Sequence, residues 1–412
     1  MVFVFETDDH KSLRERVRTF AEGEIAPRVA WMESAQTVDV QSSALIARQG
    51  WLGVTIPSEY GGMGAGHLAK TIVIEELARV SGAMGAMVQA SQLGAAKIIH
   101  YGTEEQKRLW LPRIASGDCL PTIAVTEEES GGNVLDMQAS ARRDGDYWVL
   151  NGRKKYVGNS HLGGPHGVVV HTGAEAAGSR SLSAFLVEDN RVGFQVVPHQ
   201  PSLGLHGFSF GDLVMDDVRI PADNMIGREG DGLAVAYSSS ILYGRPNLTA
   251  VALGIHQTLL EETVRFAKER RRRDEPLAKL PTIEQRIGQI NERLMTARTL
   301  AYQAAHMLDH GQACDDELIS AKYRGVESLM ESVLATMKIH AAAGLRRDRC
   351  IERLVRDAFH IDAPAGTGDI QLRRLGESAL GQGKGQWSRR LVHVTALSSL
   401  PVPSEAAQEP AA

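Results

Sequence analysis

The stretch ARRDGDYWVLNGRKKYVGN, residues 141–159, is strand-forming sequence inside a chain whose two flanks carry helical periodicity. Asp144-Gly145 and Asn151-Gly152 have the residue types of tight turns, and they separate short runs rich in Tyr, Trp and Val. Further strand-like runs follow at 167–172 (GVVVHT), 183–188 (SAFLVE) and 212–221 (DLVMDDVRIP). Before this block, Leu13, Val17, Phe20 and Ala21 recur at helical spacing, and helical stretches cover 66–80 and 104–116. The glycine-rich turn EYGGMGAG at 59–66 interrupts them. After Gly232 the helical pattern returns, with long stretches at 247–272, 283–309 and 316–342 that predict an antiparallel bundle. The fold class read from this order is α+β. The predicted domains are a helical unit at 1–121, a β unit at 122–232 and a helical unit at 233–398, followed by a disordered tail at 399–412 rich in Pro, Ala and Glu.

Composition narrows the function classes. A chain of 412 residues with 43% hydrophobic and 23% charged residues buries a large core. Its formal charge of −5 gives no nucleic-acid surface, and the basic run Arg270–Arg273 is met at once by Asp274 and Glu275. Cys119, Cys314 and Cys350 are three in number and widely spaced, so they form neither a disulfide framework nor a metal-ligand pattern, and they fit a reducing cytosol. No apolar run approaches the ~20 residues that span a bilayer, and no signal peptide precedes the first helix. The expectation is a cytoplasmic protein with no metal, no nucleic-acid partner and no membrane partner.

Five stretches carry a resemblance: EYGGMG at 59–64, YGTEEQKRLWLPRIASGD at 101–118, AVTEEESGGN at 124–133, DDVRIPADNMIG at 216–227 and RLVRDAFHIDAPAGTGDIQ at 353–371. In this order and spacing the chain resembles the acyl-CoA dehydrogenase family over nearly its whole length. The resemblance implies an N-terminal helical domain, a central β barrel, a C-terminal four-helix bundle, FAD as cofactor and a homo-oligomer, dimer or tetramer. It implies an acyl thioester substrate on CoA or an acyl carrier protein, with an electron-transfer flavoprotein or O₂ as electron acceptor.

The resemblance also assigns residues. Thr126 matches the threonine that touches the flavin's pyrimidine side, and Tyr156 stands where a tryptophan often flanks the ring. Gly158 replaces the threonine that hydrogen-bonds flavin N5. Arg270 matches an arginine that reaches the FAD pyrophosphate of a neighbouring subunit. Lys338 and Ala342 occupy a glutamine and a glycine position of a pyrophosphate contact, where Lys338 can act as a point charge. Thr367 and Asp369, with Gly366, match the loop over the adenosine-diphosphate half. Gly132 lies in the loop that grips the substrate thioester, and Arg245 follows a second base position on the substrate side.

The departures cluster at the chemistry. The glutamate that serves as base precedes a Gly-Thr pair in much of the family, and that position is Ala365. In other members the glutamate directly precedes the arginine matched by Arg245, and that position is Gly244. Removing the α-proton of a thioester needs a positioned base, worth roughly 10²- to 10⁴-fold in rate. A relocated base would come from Tyr243, Tyr156, His206, His360, Asp362 or Glu127–Glu129, with Tyr243 nearest in sequence to an established position. The function read from the chain is therefore that of an FAD-dependent acyl-CoA (or acyl-carrier-protein) dehydrogenase-like oxidoreductase, desaturating a thioester-linked acyl group in specialised metabolism. A flavin-dependent monooxygenase or oxidase on the same fold, and a flavin-binding homologue without catalysis, stay open as alternatives. Arg346, Arg347 and Arg349 form a candidate patch for an acidic carrier protein.

Overall fold

The computed structural model describes residues 5–173, 178, 180–383 and 387–390. The predicted tail at 399–412 and the predicted end of the bundle at 398 lie outside the described residues.

The N-terminal domain is helical: α1 (Asp8–Phe20), α2 (Val29–Ala35), α3 (Val40–Ala47), α4 (Gly66–Val80), α5 (Gly82–Tyr101) and α6 (Glu104–Ala115). Thr7 caps α1 in a reciprocal pair with His10, and Leu13 and Val17 form its buried face, as their spacing predicts. Helix α5 is the longest of the elements that sequence reading missed, the others here being α2 and α3. It is buried on nearly every face, so it has no polar stripe from which amphipathic periodicity could be read. No helix among the described residues is long and apolar enough to cross a membrane.

The middle domain holds β1 (Thr122–Ala124), β2 (Ser140–Asp144), β3 (Tyr147–Gly158), β4 (His166–His171), β5 (Leu182–Val187), β6 (Phe194–Val196), β7 (Phe210–Pro221) and β8 (Met225–Ile226). They form one mixed sheet in the order β6-β7-β3-β2-β4-β5-β8, with β1 parallel to β4. Among the described residues the hydrogen-bonded path runs from β6 to β8. Asp144-Gly145 does turn the chain between β2 and β3. Asn151-Gly152 does not. It lies inside β3 at a register shift against β7, where Gly152 takes φ +131°. A Cβ on Gly152 would sit 2.5 Å from the Cβ of Ala139, so the glycine marks a bulge with close backbone approach rather than a turn.

The C-terminal domain comprises α7 (Gly232–Ser239), α8 (Arg245–Glu269), a ribbon of β9 (Arg271–Arg272) and β10 (Glu275–Pro276), then α9 (Pro281–Asp309), α10 (Asp315–His340), α11 (Cys350–Asp362), α12 (Gly368–Ala379) and α13 (Trp387–Arg390). Helices α8, α9 and α10 pack on one another, with α11 on α8 and α10. Helix α5 lies between this bundle and strands β1 and β3.

Buried polar contacts lock the two helical domains together. Asp309, at the end of α9, accepts hydrogen bonds from the backbone N–H groups of His67 (2.5 Å) and Leu68 (2.9 Å) in the first turn of α4. A carboxylate is favoured at that helix end by the macrodipole. On α4, Glu75 accepts from Arg298 Nε (2.8 Å) and from the Tyr302 hydroxyl (2.5 Å) of α9. Burial raises the Glu75 carboxyl, but Arg298 and Arg14 outweigh it and hold the group below its ordinary value.

Candidate active site

A cavity of about 110 Å³ lies where α5, the ends of β3 and β7, α8 and α11 meet. Helix α5 supplies Ala86, Gln89, Ala90 and Leu93, while β3 supplies Tyr156 and Gly158. Phe208, Phe210, Leu248, His360, Ile361 and Pro364 complete much of the wall. A larger, open groove of about 870 Å³ runs beside Trp110 and Arg219, but it touches none of the residues predicted for the site.

One side of the cavity is aromatic. Tyr156 stacks on Phe210 with ring centroids 5.8 Å apart and planes 22° from parallel, and Phe208 stacks on Phe210 in turn. Tyr156 is nonetheless 55% exposed, which leaves a flat face open beside the cavity. A Cβ on Gly158 would lie 3.0 Å from Phe208 Cζ and 3.1 Å from the Cβ of Ala90. The missing side chain at 158 is thus coupled to the phenylalanine that packs over it.

The two base positions converge. Gly244 ends a π-helical turn (Ser240–Gly244) before α8, and Ala365 follows α11 with a left-handed φ of +59°. A Cβ on Gly244 would lie 3.4 Å from the Cβ of Ala365. The atoms nearest that Cβ are those of Ala365, Leu93 and Ser240, none of them a carboxylate.

Of the relocated-base candidates, the structure brings Tyr156 and His360 to the cavity wall. His360 meets Phe210 edge-on at 5.0 Å, and burial pushes its imidazole down to about 4, so the ring is neutral near pH 7. Tyr243 points elsewhere. It is 2% exposed, its hydroxyl lies 3.2 Å from His100 Nε2, and Lys70 sits 4.5 Å over its ring. Burial holds its phenol above the ordinary range. Glu127 is occupied by Lys154 Nζ at 2.6 Å and by the N–H groups of Gln138 and Ala139, and Glu128 pairs with Lys155. His206 hydrogen-bonds the Ser202 carbonyl.

The remaining predicted residues fall into separate places. Thr126 is half-buried beside β3, with its carbonyl accepting from Lys155 N at 2.8 Å. Gly132 is exposed on a loop tied by Ser130 and Asn133 and does not line the cavity. Arg245 is 4% exposed, with Nε and Nη1 unpartnered, and burial pulls it down to about 10 while Asp315 partly offsets this. It is not part of the cavity wall. Thr367 stands at the N-terminus of α12 without a side-chain cap bond among the described residues, and a helix start of this kind suits an anion. Arg270, Lys338 and Ala342 are exposed at the far end of the bundle, where Phe266 stacks on His340. Gly368 packs against Glu327 on α10, and the eleven-residue step from Glu327 to Lys338 spans about 16 Å of helix. Within one chain, therefore, Thr367 and the Arg270 cluster are apart. Arg346 pairs with Asp348 within its own turn.

These residues fit a flavin. The exposed face of Tyr156, the bare backbone at Gly158 and the uncapped helix start at Thr367 offer a planar slot and an anion site.

Residues 7–118, 122–218 and 230–380 match the N-terminal, middle and C-terminal domains of acyl-CoA dehydrogenases. The chain belongs to the acyl-CoA dehydrogenase family, whose members are FAD-dependent oxidoreductases. It is 32% identical over 378 residues to an acyl-CoA dehydrogenase of Bacillus subtilis, covering 91% of this chain and 99% of that one. It is 30% identical over 371 residues to a 3-(aryl)acrylate reductase of Clostridium sporogenes, covering 89% and 97%. Its fold superposes on butyryl-CoA dehydrogenase from Megasphaera elsdenii with a TM-score of 0.89 at 27% identity, over 92% of this chain and all of that one.

Proposed function

We propose that this chain desaturates a thioester-linked acyl group between its α- and β-carbons, with the acyl group carried on CoA or on a carrier protein. The observation that supports this most is the cavity beside Gly158: mostly apolar along α5 and α8 apart from Gln89, walled by aromatic rings, and holding one imidazole. Two relatives bear names, acyl-CoA dehydrogenase and acrylate reductase, that share the chemistry of a carbon–carbon double bond next to a carboxyl carbon.

Thr126, Tyr156 and Gly158 hold the flavin side of the site in this reading, and Thr367, Gly366 and Asp369 hold the adenosine-diphosphate side. Arg270, with Lys338 and Ala342, serves the site of a neighbouring subunit, which agrees with their separation from Thr367 within one chain. FAD, when bound, supplies the acceptor for the hydride of the β-carbon. His360 takes the α-proton at its imidazole nitrogen, because it is the titratable base in the cavity wall and is neutral near pH 7. The aromatic wall and the apolar lining exclude water from the reacting carbons. Because Gly244 and Ala365 carry no carboxylate, the substrate is one of specialised metabolism with a more acidic α-hydrogen, rather than a plain fatty acyl chain. The electrons pass to an electron-transfer flavoprotein or to O₂.

The test is anaerobic mixing of the FAD-loaded protein with two thioester sets, one saturated and unactivated, the other bearing an α-proton acidified by a neighbouring group. Flavin bleaching by the second set, much faster than by the first, is the expected result. Bleaching by neither set rejects the reading.

A further inference from the structure

The open groove beside Trp110 shares no lining residue with the cavity. It runs between α6 of the N-terminal domain and the middle domain, where the approach to β4, the β5–β6 turn and β7 form the other wall. At about 870 Å³ it falls in the size class of sites that hold ligands, roughly 300–1,000 Å³. Its carboxylates and its guanidiniums are used unequally. Glu188 accepts from Arg191 Nε at 2.8 Å and from Nη2 at 2.9 Å. Asp189 lies 2.5 Å from His166 Nε2 and accepts from the N–H of Gly164 at 2.8 Å. Asp217 exchanges two hydrogen bonds with Asn151, at 2.9 and 3.0 Å. Arg113, by contrast, lies over the Trp110 ring at 4.8 Å and pairs with no carboxylate among the described residues. Arg219 lies over the Tyr147 ring at 3.9 Å, and it meets Asp144 only at 3.5 Å between half-exposed side chains, a weak pair. A guanidinium held over a ring is attracted through its charge and keeps its N–H donors for an acceptor. Each wall also shows an aliphatic side chain to water, Leu109 at 55% exposure and Val192 at 92%.

We propose that this groove docks an acidic segment of a partner protein, with carboxylates of the segment on Arg113 and Arg219 and aliphatic side chains against Leu109 and Val192. The sign of the partner follows from what the groove leaves unused. Its own carboxylates already hold donors, whereas Arg113 and Arg219 lack acceptors, so the complementary surface is one that brings carboxylates. That the partner is a protein follows from the rest of the lining. Glu188, Asp189 and Asp217 stand in the same groove, so the dense charge of a phosphate ligand is repelled there, while a peptide spaces its carboxylates and puts neutral groups between them. A small anion would also leave Leu109 and Val192 in water. A peptide with aliphatic side chains covers both, at the favourable transfer energy of apolar surface.

The experiment uses the FAD-loaded protein and three fluorescein-labelled hexapeptides, read by fluorescence anisotropy. One alternates glutamate with leucine, the second glutamine with leucine, and the third glutamate with serine. The glutamate–leucine peptide is expected to bind about 5-fold or more tightly than either control at low salt, and to weaken as sodium chloride is raised. Arg113→Ala combined with Arg219→Ala is expected to lower that affinity by about 5- to 25-fold, at up to roughly 5-fold for each exposed charge pair. Equal binding of either control peptide overturns the proposal, as does failure of the glutamate–leucine peptide to bind. An affinity that the two arginine substitutions leave unchanged overturns it as well, by placing the peptide elsewhere on the surface. Displacement of the peptide by inorganic pyrophosphate at matched ionic strength overturns it in favour of a small-anion site. A smaller oligomer of the double variant in gel filtration overturns it in favour of an interface between copies of this chain. The comparison of the three peptides on the wild type decides the matter even if the double variant fails to fold.

Discussion

The Cβ that Gly244 lacks would lie 3.4 Å from the Cβ of Ala365, so positions on two different elements face one point, beside Leu93 of the cavity wall. A carboxylate placed on either residue would approach the same point. At Gly244 an added Cβ meets only ordinary contacts, with Leu93 Cδ1 and Ser240 Oγ both at 3.7 Å. Gly244→Glu and Ala365→Glu are each expected to speed bleaching of the flavin by a saturated acyl-CoA, by up to ~10²- to 10⁴-fold. The double variant should gain nothing further, because two like charges at one point cannot both ionise. Stopped-flow absorbance checks this. An unchanged rate in both single variants would show that the α-carbon does not sit there.

His360→Phe keeps the aromatic packing against Phe210 and removes the nitrogen. The expected outcome is a fall of ~10²-fold or more in flavin reduction by the best thioester, with little change in its binding constant. In the wild type an acid limb should appear near pH 4, where the imidazole protonates, and the variant should lack it. Tyr243→Phe should leave the rate as it was, since the hydroxyl faces His100 rather than the cavity.

Arg270 is exposed at the end of α8, far along the bundle from Thr367 of its own chain. Arg270→Ala is therefore expected to lower FAD retention through a neighbouring subunit, by roughly the 10-fold that a lost charge-assisted phosphate contact gives. Gel filtration followed by flavin absorbance measures it. Full retention in an isolated monomer would refute the shared site.

Stability should fall in mild acid. Burial, with Arg298 nearby, pushes His256 down to about 3 in the folded chain, whereas an unfolded histidine protonates near 6.5. Between those values the unfolded chain binds more protons, so the contribution is complete above pH 6.5 and is lost as pH falls toward 3. Asp309 acts in the opposite sense, since burial raises it to about 6 and folding then favours its protonated form. The expected Tm drop between pH 7 and pH 5 should shrink in His256→Leu. An identical drop in the variant would exclude His256 as a source.

Much of the architecture was legible because local periodicity reports local structure. The amphipathic spacing in α1, the β-branched and aromatic runs of β4, β5 and β7, and the long stripes of α8, α9 and α10 all appear close to their predicted ranges. Two features were not legible for a physical reason. Helix α5 is apolar on all sides, so period 3.6 leaves no trace in it. Asn151-Gly152 has turn chemistry, but Gly152 is glycine because Ala139 lies against its backbone, a contact that only the folded sheet creates.

The site divides along the same line. The sequence alone determined that Ala365 and Gly244 carry no acid and that position 158 has no side chain, since identity is a property of the chain. Only the tertiary structure decided which remaining groups meet. It brought His360 and Gln89, from α11 and α5, into one cavity, and it turned Tyr243, next to Gly244 in sequence, toward His100 and Lys70. Adjacent residues on a helix point about 100° apart, so nearness along the chain says little about which face of the helix reaches the cavity.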